Sequence, residues 1–135
     1  MELNINSPAY YSQNYGIDND VYSFCQKAYL FFKDKEYSST LKTIGIVPAV
    51  APQELYDNNM WKEQIELRNN KSVASILLRM DFEEYHNADT QKKILMTKDL
   101  VLKAVKKVKA RGKFDYKAFE KDFTYLSEEY MRCIK

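Results

Sequence analysis

Glycine, proline and cysteine are scarce in this chain, which has three, three and two of them among 135 residues. With three glycines, no glycine-rich loop of the kind that cradles phosphates can be written. Cys25 and Cys133 lie too far apart for metal-ligand spacing, and unpaired thiols are typical of a reducing compartment. The sequence therefore predicts no nucleotide site and two ordinary thiols, with Cys25 in the core and Cys133 near a frayed end.

Histidine is scarcer still, because His86 in the segment EEYHNAD is the only one. A catalytic histidine needs a nucleophile or an orienting carboxylate within reach, and no G-x-S-x-G motif accompanies it. The adjacent acidic pairs Glu83–Glu84 and Glu128–Glu129 point in different directions on either a strand or a helix. We therefore expect no catalytic residue, no metal ligand, no cofactor and no enzymatic activity.

Long apolar runs are also missing, since no window approaches the roughly 18 apolar residues that a membrane helix needs. The N-terminal segment MELNINSPAYY has neither the basic region nor the apolar run of a signal peptide. We expect a cytoplasmic protein without a membrane partner.

Apolar and aromatic residues are plentiful, at 45% and 14% of the chain. A chain of this length and composition is long enough for one compact core, and no shift in composition marks a boundary. We expect a single domain over residues 1–135.

Three segments have the periodicity of amphipathic helices. The first follows Asp18 or Asp20, either of which is a suitable N-cap. Its apolar stripe consists of Val21, Phe24, Cys25, Ala28 and Phe32. The second runs from about Asp89 to Ala110 with Gly112 as its C-cap, and its apolar stripe consists of Ile94, Val101, Ala104, Val105 and Val108. The third follows Asp115.

Four segments have the pattern of strands. They are Leu3–Ile5, residues 44–50, and a hairpin formed by residues 60–68 and 73–82 around the turn NNKS. Pro48 places the second strand at an edge or at a bulge, and the last strand has the strongest pattern. The order β-α-β-β-β-α-α predicts an α+β fold with a small antiparallel sheet of about four strands and helices packed on one face.

Charge is unevenly distributed along the chain. Residues 92–113 contain nine lysines or arginines and one acid, Asp99, whereas the rest of the chain has twelve basic and eighteen acidic residues. A solvated helix face accounts for such a stretch. Binding to an acidic protein surface, or to nucleic acid or membrane, is the alternative, although this helix lacks the aromatic residues that nucleic-acid modules use for base stacking.

Aromatic residues in loops are a second feature that suggests binding. Tyr10, Tyr11 and Tyr15 cluster near the N-terminus, and Trp61 follows the loop YDNNM. Tyrosine and tryptophan are favoured at interfaces because they bury a large area with few rotatable bonds. The alternative is that these residues cover the end of the core.

Several segments together resemble a known family, the bacterial immunity proteins of polymorphic toxin systems, and in particular the group called immunity protein forty-four. The resemblance rests on NSPAYYSQNYG, IGIVPAVAP, MWKE, RMDFEEYHNAD and RGKFDYKAFEKDF, which span nearly the whole chain. It implies a cytoplasmic antitoxin that binds and blocks a cognate bacterial toxin domain. It implies no catalytic motif and does not identify the toxin.

Two surfaces are candidates for the contact with such a toxin. A basic toxin, such as a nuclease, would contact the acidic and aromatic residues, and an acidic toxin would contact the lysine helix. The candidate partner-binding residues are Tyr10, Tyr11, Tyr15, Asp18, Asp20, Asp57, Trp61 and Glu63.

The rival function is a nucleic-acid-associated accessory domain that uses residues 92–113, although we expect nucleic acid not to be the partner. The oligomeric state stays open between monomer and homodimer.

Overall fold

The computed structural model describes residues 1–10, 18–54 and 62–134. Its mixed content of helices and strands confirms the expected α+β class. The described strands are β1 (Glu2–Ile5), β2 (Ala9–Tyr10), β3 (Thr43–Ala51), β4 (Gln64–Arg68) and β5 (Val73–Asp81). The described helices are α1 (Asn19–Phe32), α2 (Phe82–His86), α3 (Thr90–Gly112) and α4 (Tyr116–Cys133). Strand β2 and helix α2 were not expected from the sequence.

The sheet is mixed, so the expected antiparallel arrangement is wrong. Its order is β1-β3-β5-β4, with β2 beside the end of β3. Strands β1 and β2 both run parallel to β3, and β3 runs parallel to β5. Only the predicted hairpin partners β4 and β5 are antiparallel. Helix α1 carries the chain from β2 to β3, and a crossover of that kind returns the next strand in the same direction.

Strand β3 is central and pairs with β5 in an unbroken register, so it has neither the edge position nor the bulge that Pro48 suggested. It pairs with β1 at residues 43–46 and with β2 at residues 49–50 on one side, and with β5 along its whole length on the other. Pro48 therefore lies where β1 has ended and β2 has not yet begun. A residue without an N–H group fits a gap in the ladder of hydrogen bonds.

The turn between β4 and β5 depends on residues that accept left-handed backbone angles. Asn69, Asn70 and Lys71 have φ of 52°, 56° and 67°. Asparagine tolerates this region better than most residues because its short side chain bonds locally to the backbone. The tight hairpin predicted from NNKS is confirmed.

The helices lie on one face of the sheet, as expected. The apolar residues predicted for α1 and α3 are all buried, and so are Ala74, Ile76, Leu78 and Met80 of β5. The other face of β5 is half-buried, and Val47 on the same face of β3 is exposed. The four helices and the inner face of the sheet therefore enclose the core between them.

Four phenylalanines form the centre of the helical layer. Phe24, Phe32, Phe119 and Phe123 are fully buried. The ring of Phe32 lies 5.0 Å from that of Phe119 and 5.8 Å from that of Phe123, between centroids, and Phe24 meets Phe123 edge-on at 5.8 Å. These contacts join α1 to α4.

Two element boundaries differ from the sequence-based expectation. Phe82 begins α2 and does not continue β5, because the Asp81 carboxylate caps the new helix by accepting a hydrogen bond from the amide of Glu84. Gly112 is the last residue of α3, and Lys113 takes the left-handed position after it, with φ of 49°. None of the described helices is long and apolar enough to cross a membrane.

Candidate partner-binding surface

The carboxyl ends of the parallel strands β2, β3 and β5 meet at one edge of the sheet. Helix α2 and the N-terminal end of α1 lie at the same place. We call this region the carboxyl edge and define it as Tyr10, Asp18, Asp20, Pro52–Glu54 and Arg79–His86. Segments that follow parallel strands at this edge are a common position for binding residues.

Tyr10 is the centre of an aromatic cluster at the carboxyl edge. Its ring centroid lies 5.6 Å from Phe82, 6.0 Å from Tyr85 and 5.8 Å from His86, in edge-to-face geometry. The Tyr10 hydroxyl is 3.3 Å from Nδ1 of His86, whose ring stacks on Phe82. His86 is therefore exposed at the surface and packs on the half-buried rings of Tyr10 and Phe82, where its ring holds α2 against β2.

Tyr85 forms the buried base of this cluster. Burial is the main reason that the pKa of its phenol is raised, and the charges of Asp18, Tyr10 and Cys25 add to the effect. The ammonium of Lys93 lies 5.1 Å from the ring centroid of Tyr85. A protonated, tightly packed tyrosine supports the more exposed rings above it.

Asp18 has a structural role within the chain. Its carboxylate caps α1 by accepting hydrogen bonds from the amides of Asp20 at 2.9 Å and Val21 at 3.2 Å. The same carboxylate lies 3.9 Å from Nζ of Lys93 on α3. Asp20, in contrast, is exposed, and its carbonyl accepts a hydrogen bond from the Tyr130 hydroxyl at 2.6 Å. Of the two aspartates, Asp20 is the one whose carboxylate is accessible to a partner.

Arg79 joins the ends of β3 and β5. Its guanidinium donates hydrogen bonds to the Ala51 carbonyl at 2.9 Å, to the Gln53 side chain at 2.9 Å and to the Asp81 carboxylate at 2.7 Å. The hydrogen bond from the Glu84 amide lowers the pKa of Asp81, and Arg79 lowers it further. This network holds the carboxylate of Asp81 in one position.

A groove of about 350 Å³ opens beside this network. It is lined by Pro52, Gln53, Glu54, Asp81 and Glu83. Three of the five lining residues carry carboxylates, and both glutamates are exposed. The groove therefore offers negative charge to whatever approaches the carboxyl edge.

Glu63, another predicted binding residue, contacts the basic helix. Its Oε1 lies 3.6 Å from Nζ of Lys107 and its Oε2 lies 4.0 Å from Nζ of Lys103. Glu63 thereby connects the chain just before β4 to α3. We call the basic side of α3, formed by Lys103, Lys106, Lys107 and Lys109, the lysine face. Its charge is partly neutralised by Glu63 within the protein.

The rest of the lysine face lies along the C-terminal half of α3. Lys103, Lys106 and Lys109 are exposed, and Lys109 lies over the ring of Tyr116 at 5.1 Å. A helix of 23 residues is about 35 Å long, so the lysines near its C-terminal end lie far from its first turn, where Lys93 meets Asp18.

The remaining predicted residues lie outside the described ranges. Tyr11, Tyr15, Asp57 and Trp61 belong to residues 11–17 and 55–61, and their participation in binding stays a prediction. Phe82, Glu83 and Arg79 were not predicted to be binding residues from the sequence. The signal that indicates them is their position at the ends of parallel strands, and the strands were expected to be antiparallel.

Within residues 1–10, 18–54 and 62–134, no three His, Cys, Asp or Glu side chains lie together in an arrangement that could hold a metal ion.

The α+β fold with its polar, aromatic carboxyl edge can be placed among known proteins by comparison. The chain matches the family described as Immunity protein 44 over residues 1–129, and it belongs to that family. The resemblance stated from the sequence segments is thereby confirmed. No curated protein and no solved structure matches the chain.

Proposed function

We propose that this chain is an antitoxin that binds a cognate polymorphic toxin domain stoichiometrically and neutralises it in the cytoplasm, without catalysing a reaction. Membership of the Immunity protein 44 family over nearly the full chain carries this proposal. An inhibitor of this type needs only a surface complementary to its target.

The carboxyl edge is the contact surface in this proposal. It combines the half-buried rings of Tyr10 and Phe82 and the exposed ring of His86 with carboxylates. Aromatic residues are enriched in protein interfaces and among the residues that contribute most of the binding energy. Tyr10 and Asp20 contribute directly, whereas Asp18 and Glu63 hold the chain's own elements together. The proposed contact surface also includes the residues predicted from the sequence, Tyr11, Tyr15, Asp57 and Trp61.

The lysine face is the weaker candidate surface. Lysine is depleted at protein interfaces, and two lysines of this face already contact Glu63. Residues 92–113 also contain no aromatic side chain. The rival function in nucleic-acid association therefore receives no support beyond the charge itself.

Co-expression tests the proposed function. The variable C-terminal domain of a secreted toxin encoded beside this gene is expressed with and without the chain in a sensitive bacterial host. We expect growth to be restored and the two proteins to purify together at a fixed ratio. The function is wrong if the chain neither restores growth nor forms a complex.

A nucleic-acid titration tests the rival function separately. Fluorescence anisotropy with labelled DNA and RNA at about 50 mM salt would show binding that weakens steeply as salt rises if phosphates were the target. We expect no saturable binding under these conditions. Binding with a steep salt dependence would instead support the accessory-domain function.

A further inference from the structure

A cleft of about 250 Å³ lies between the end of β5 and the middle of α3. Its floor is apolar and consists of Leu78 and Met80 from β5 with Met96 and Leu100 from α3. Methionine side chains are flexible and polarisable, so they adapt to an inserted group. The floor therefore suits an apolar or flat chemical group.

The rim of the cleft carries three carboxylates, Asp81, Glu84 and Asp99, and two cations, Arg79 and Lys103, so carboxylates are in excess by one. Arg79 is bound to Asp81 at 2.7 Å, whereas the ion pairs Lys103–Glu63 and Lys92–Glu84 are long, at 4.0 Å and 3.9 Å. Among the described residues no cation lies within 4.0 Å of the Asp99 carboxylate. Glu84 and Asp99 are therefore the rim carboxylates without a close ion pair.

The size of the cleft limits what it can hold. Pockets for small molecules and cofactors are typically about 300–1,000 Å³ and close around most of the ligand. This cleft is smaller and opens to the surface. A single side chain presented by a protein partner matches its volume, and such anchors in pockets dominate the energetics of many interfaces.

We propose that the cleft between β5 and α3 receives an arginine side chain of the bound toxin. The proposal rests on the proposed function and adds the chemistry of the contact. The aliphatic stem and the flat face of the guanidinium lie on Met80, Met96 and Leu100, while the N–H groups donate to Glu84 and Asp99. Arginine fits better than lysine because its planar group packs on apolar surface and binds carboxylates in a bidentate manner.

Methionine methyl NMR tests the cleft without requiring the toxin. Protein labelled with ¹³C at the methionine methyl groups has reporters in the cleft at Met80 and Met96, and reporters elsewhere at Met1 and Met131. The probe is N-acetyl-arginine methylamide. The matched control is the citrulline analogue, which has nearly the same shape but no charge.

We expect the arginine probe to shift the Met80 and Met96 signals saturably and to leave Met1 and Met131 unchanged. The citrulline analogue should bind several-fold more weakly. The double variant Glu84→Gln with Asp99→Asn should weaken arginine binding about threefold or more, as expected for partly exposed ion pairs. The control variant Asp34→Asn with Glu129→Gln, on exposed or half-exposed carboxylates outside the cleft, should not change it.

Two results would overturn the proposal: equal binding of the arginine and citrulline probes, or no saturable shift at either cleft methionine. A circular dichroism spectrum identical to that of the wild type shows that the double variant is folded. If it is not, the comparison of the two probes on the wild type decides the question.

The same variants in the growth assay separate this inference from the proposed function. If the wild-type chain protects and the cleft variant protects less than the control variant, both are supported. Full protection by the cleft variant contradicts the cleft contact and leaves the antitoxin function intact. Failure of the wild-type chain to protect contradicts the function, whatever the titration shows.

Discussion

At the scale of single residues, the carboxylates at the carboxyl edge differ in their hydrogen-bond and ion-pair partners within the chain. Asp18 is engaged by backbone amides and by Lys93, and Asp81 is engaged by a backbone amide and by Arg79. Asp20 and Glu83 are exposed. The sequence identified the acidic residues, but the distinction between structural and accessible carboxylates depends on partners that are far away in the chain.

Asp81 should make stability depend on pH in the acidic range. Its folded-state pKa is lowered by the Glu84 amide and Arg79, so its contribution is present above the unfolded pKa of about 3.9 and is lost as pH falls through the folded pKa. Asp81→Asn keeps a capping acceptor and removes the charge. Because 41% of the side chain is exposed, we expect the variant to be less stable by under about 1 kcal/mol near pH 6, with a smaller difference below pH of about 3.

Urea unfolding at several pH values measures this difference. Asp34→Asn, at an exposed position, controls for the loss of one surface charge. A gap between wild type and Asp81→Asn that widens towards low pH would contradict the assignment.

The two thiols should react at very different rates. Burial raises the pKa of the Cys25 thiol to about 12, and the residue is 2% exposed, whereas Cys133 is exposed. The thiolate is the reactive form, so a disulfide reagent at pH 8 should modify one thiol rapidly and the second only as the protein opens. Cys133→Ser should abolish the rapid phase, and two rapid phases in the native wild type would rule out a buried Cys25.

At the scale of elements, apolar periodicity predicted the helices better than their ends. The stripes of α1 and α3 are buried as expected, because a period of 3.6 residues directs every member to one side. The ends depend on local backbone geometry. Gly112 was the expected C-cap, yet the left-handed residue is Lys113, one position later.

Lys113→Gly should stabilise the protein by roughly 1 kcal/mol. A residue with a Cβ is strained at φ of 49°, and glycine adopts this conformation without steric cost. Lys121→Gly is the matched control, because Lys121 is an exposed lysine in the interior of α4, where glycine should destabilise by about 1 kcal/mol. Thermal or urea unfolding of both variants measures the effect, and destabilisation by Lys113→Gly would show that the left-handed cap carries no strain.

At the scale of the whole molecule, long-range contacts join the region of the first helix, α1, to the last helix, α4. The Tyr37 hydroxyl donates to Asp122 at 2.5 Å, the amide of Asp115 donates to the Tyr37 carbonyl, and the Tyr130 hydroxyl donates to the Asp20 carbonyl. Together with the phenylalanine cluster, these contacts connect the segment around α1 to α4. We propose that residues 1–135 fold as one domain.

A single domain should unfold in one cooperative step. The methyl signals of Met1, Met80, Met96 and Met131 report on four separate regions of the chain, and far-ultraviolet circular dichroism reports on the helices. We expect the same urea midpoint from all of them, as two-state unfolding requires. Midpoints that separate β1 and β5 from α3 and α4 would show two independently folding units.

The sequence by itself determined the α+β class, the apolar stripes of the helices, the β4–β5 hairpin and the uneven distribution of charge. These features depend on residue type and on spacing within one element. The sequence also contains the segments that resemble the immunity protein family, and the family match confirms this resemblance.

Only the tertiary structure decided the strand directions, the central position of β3 and the assembly of the carboxyl edge. Strand pairing depends on the crossover made by α1, and a local pattern contains no information about which distant strand lies alongside. For the same reason the cleft between β5 and α3 was not visible in the sequence, because the residues of its floor and rim are brought together only when the sheet and the helix pack.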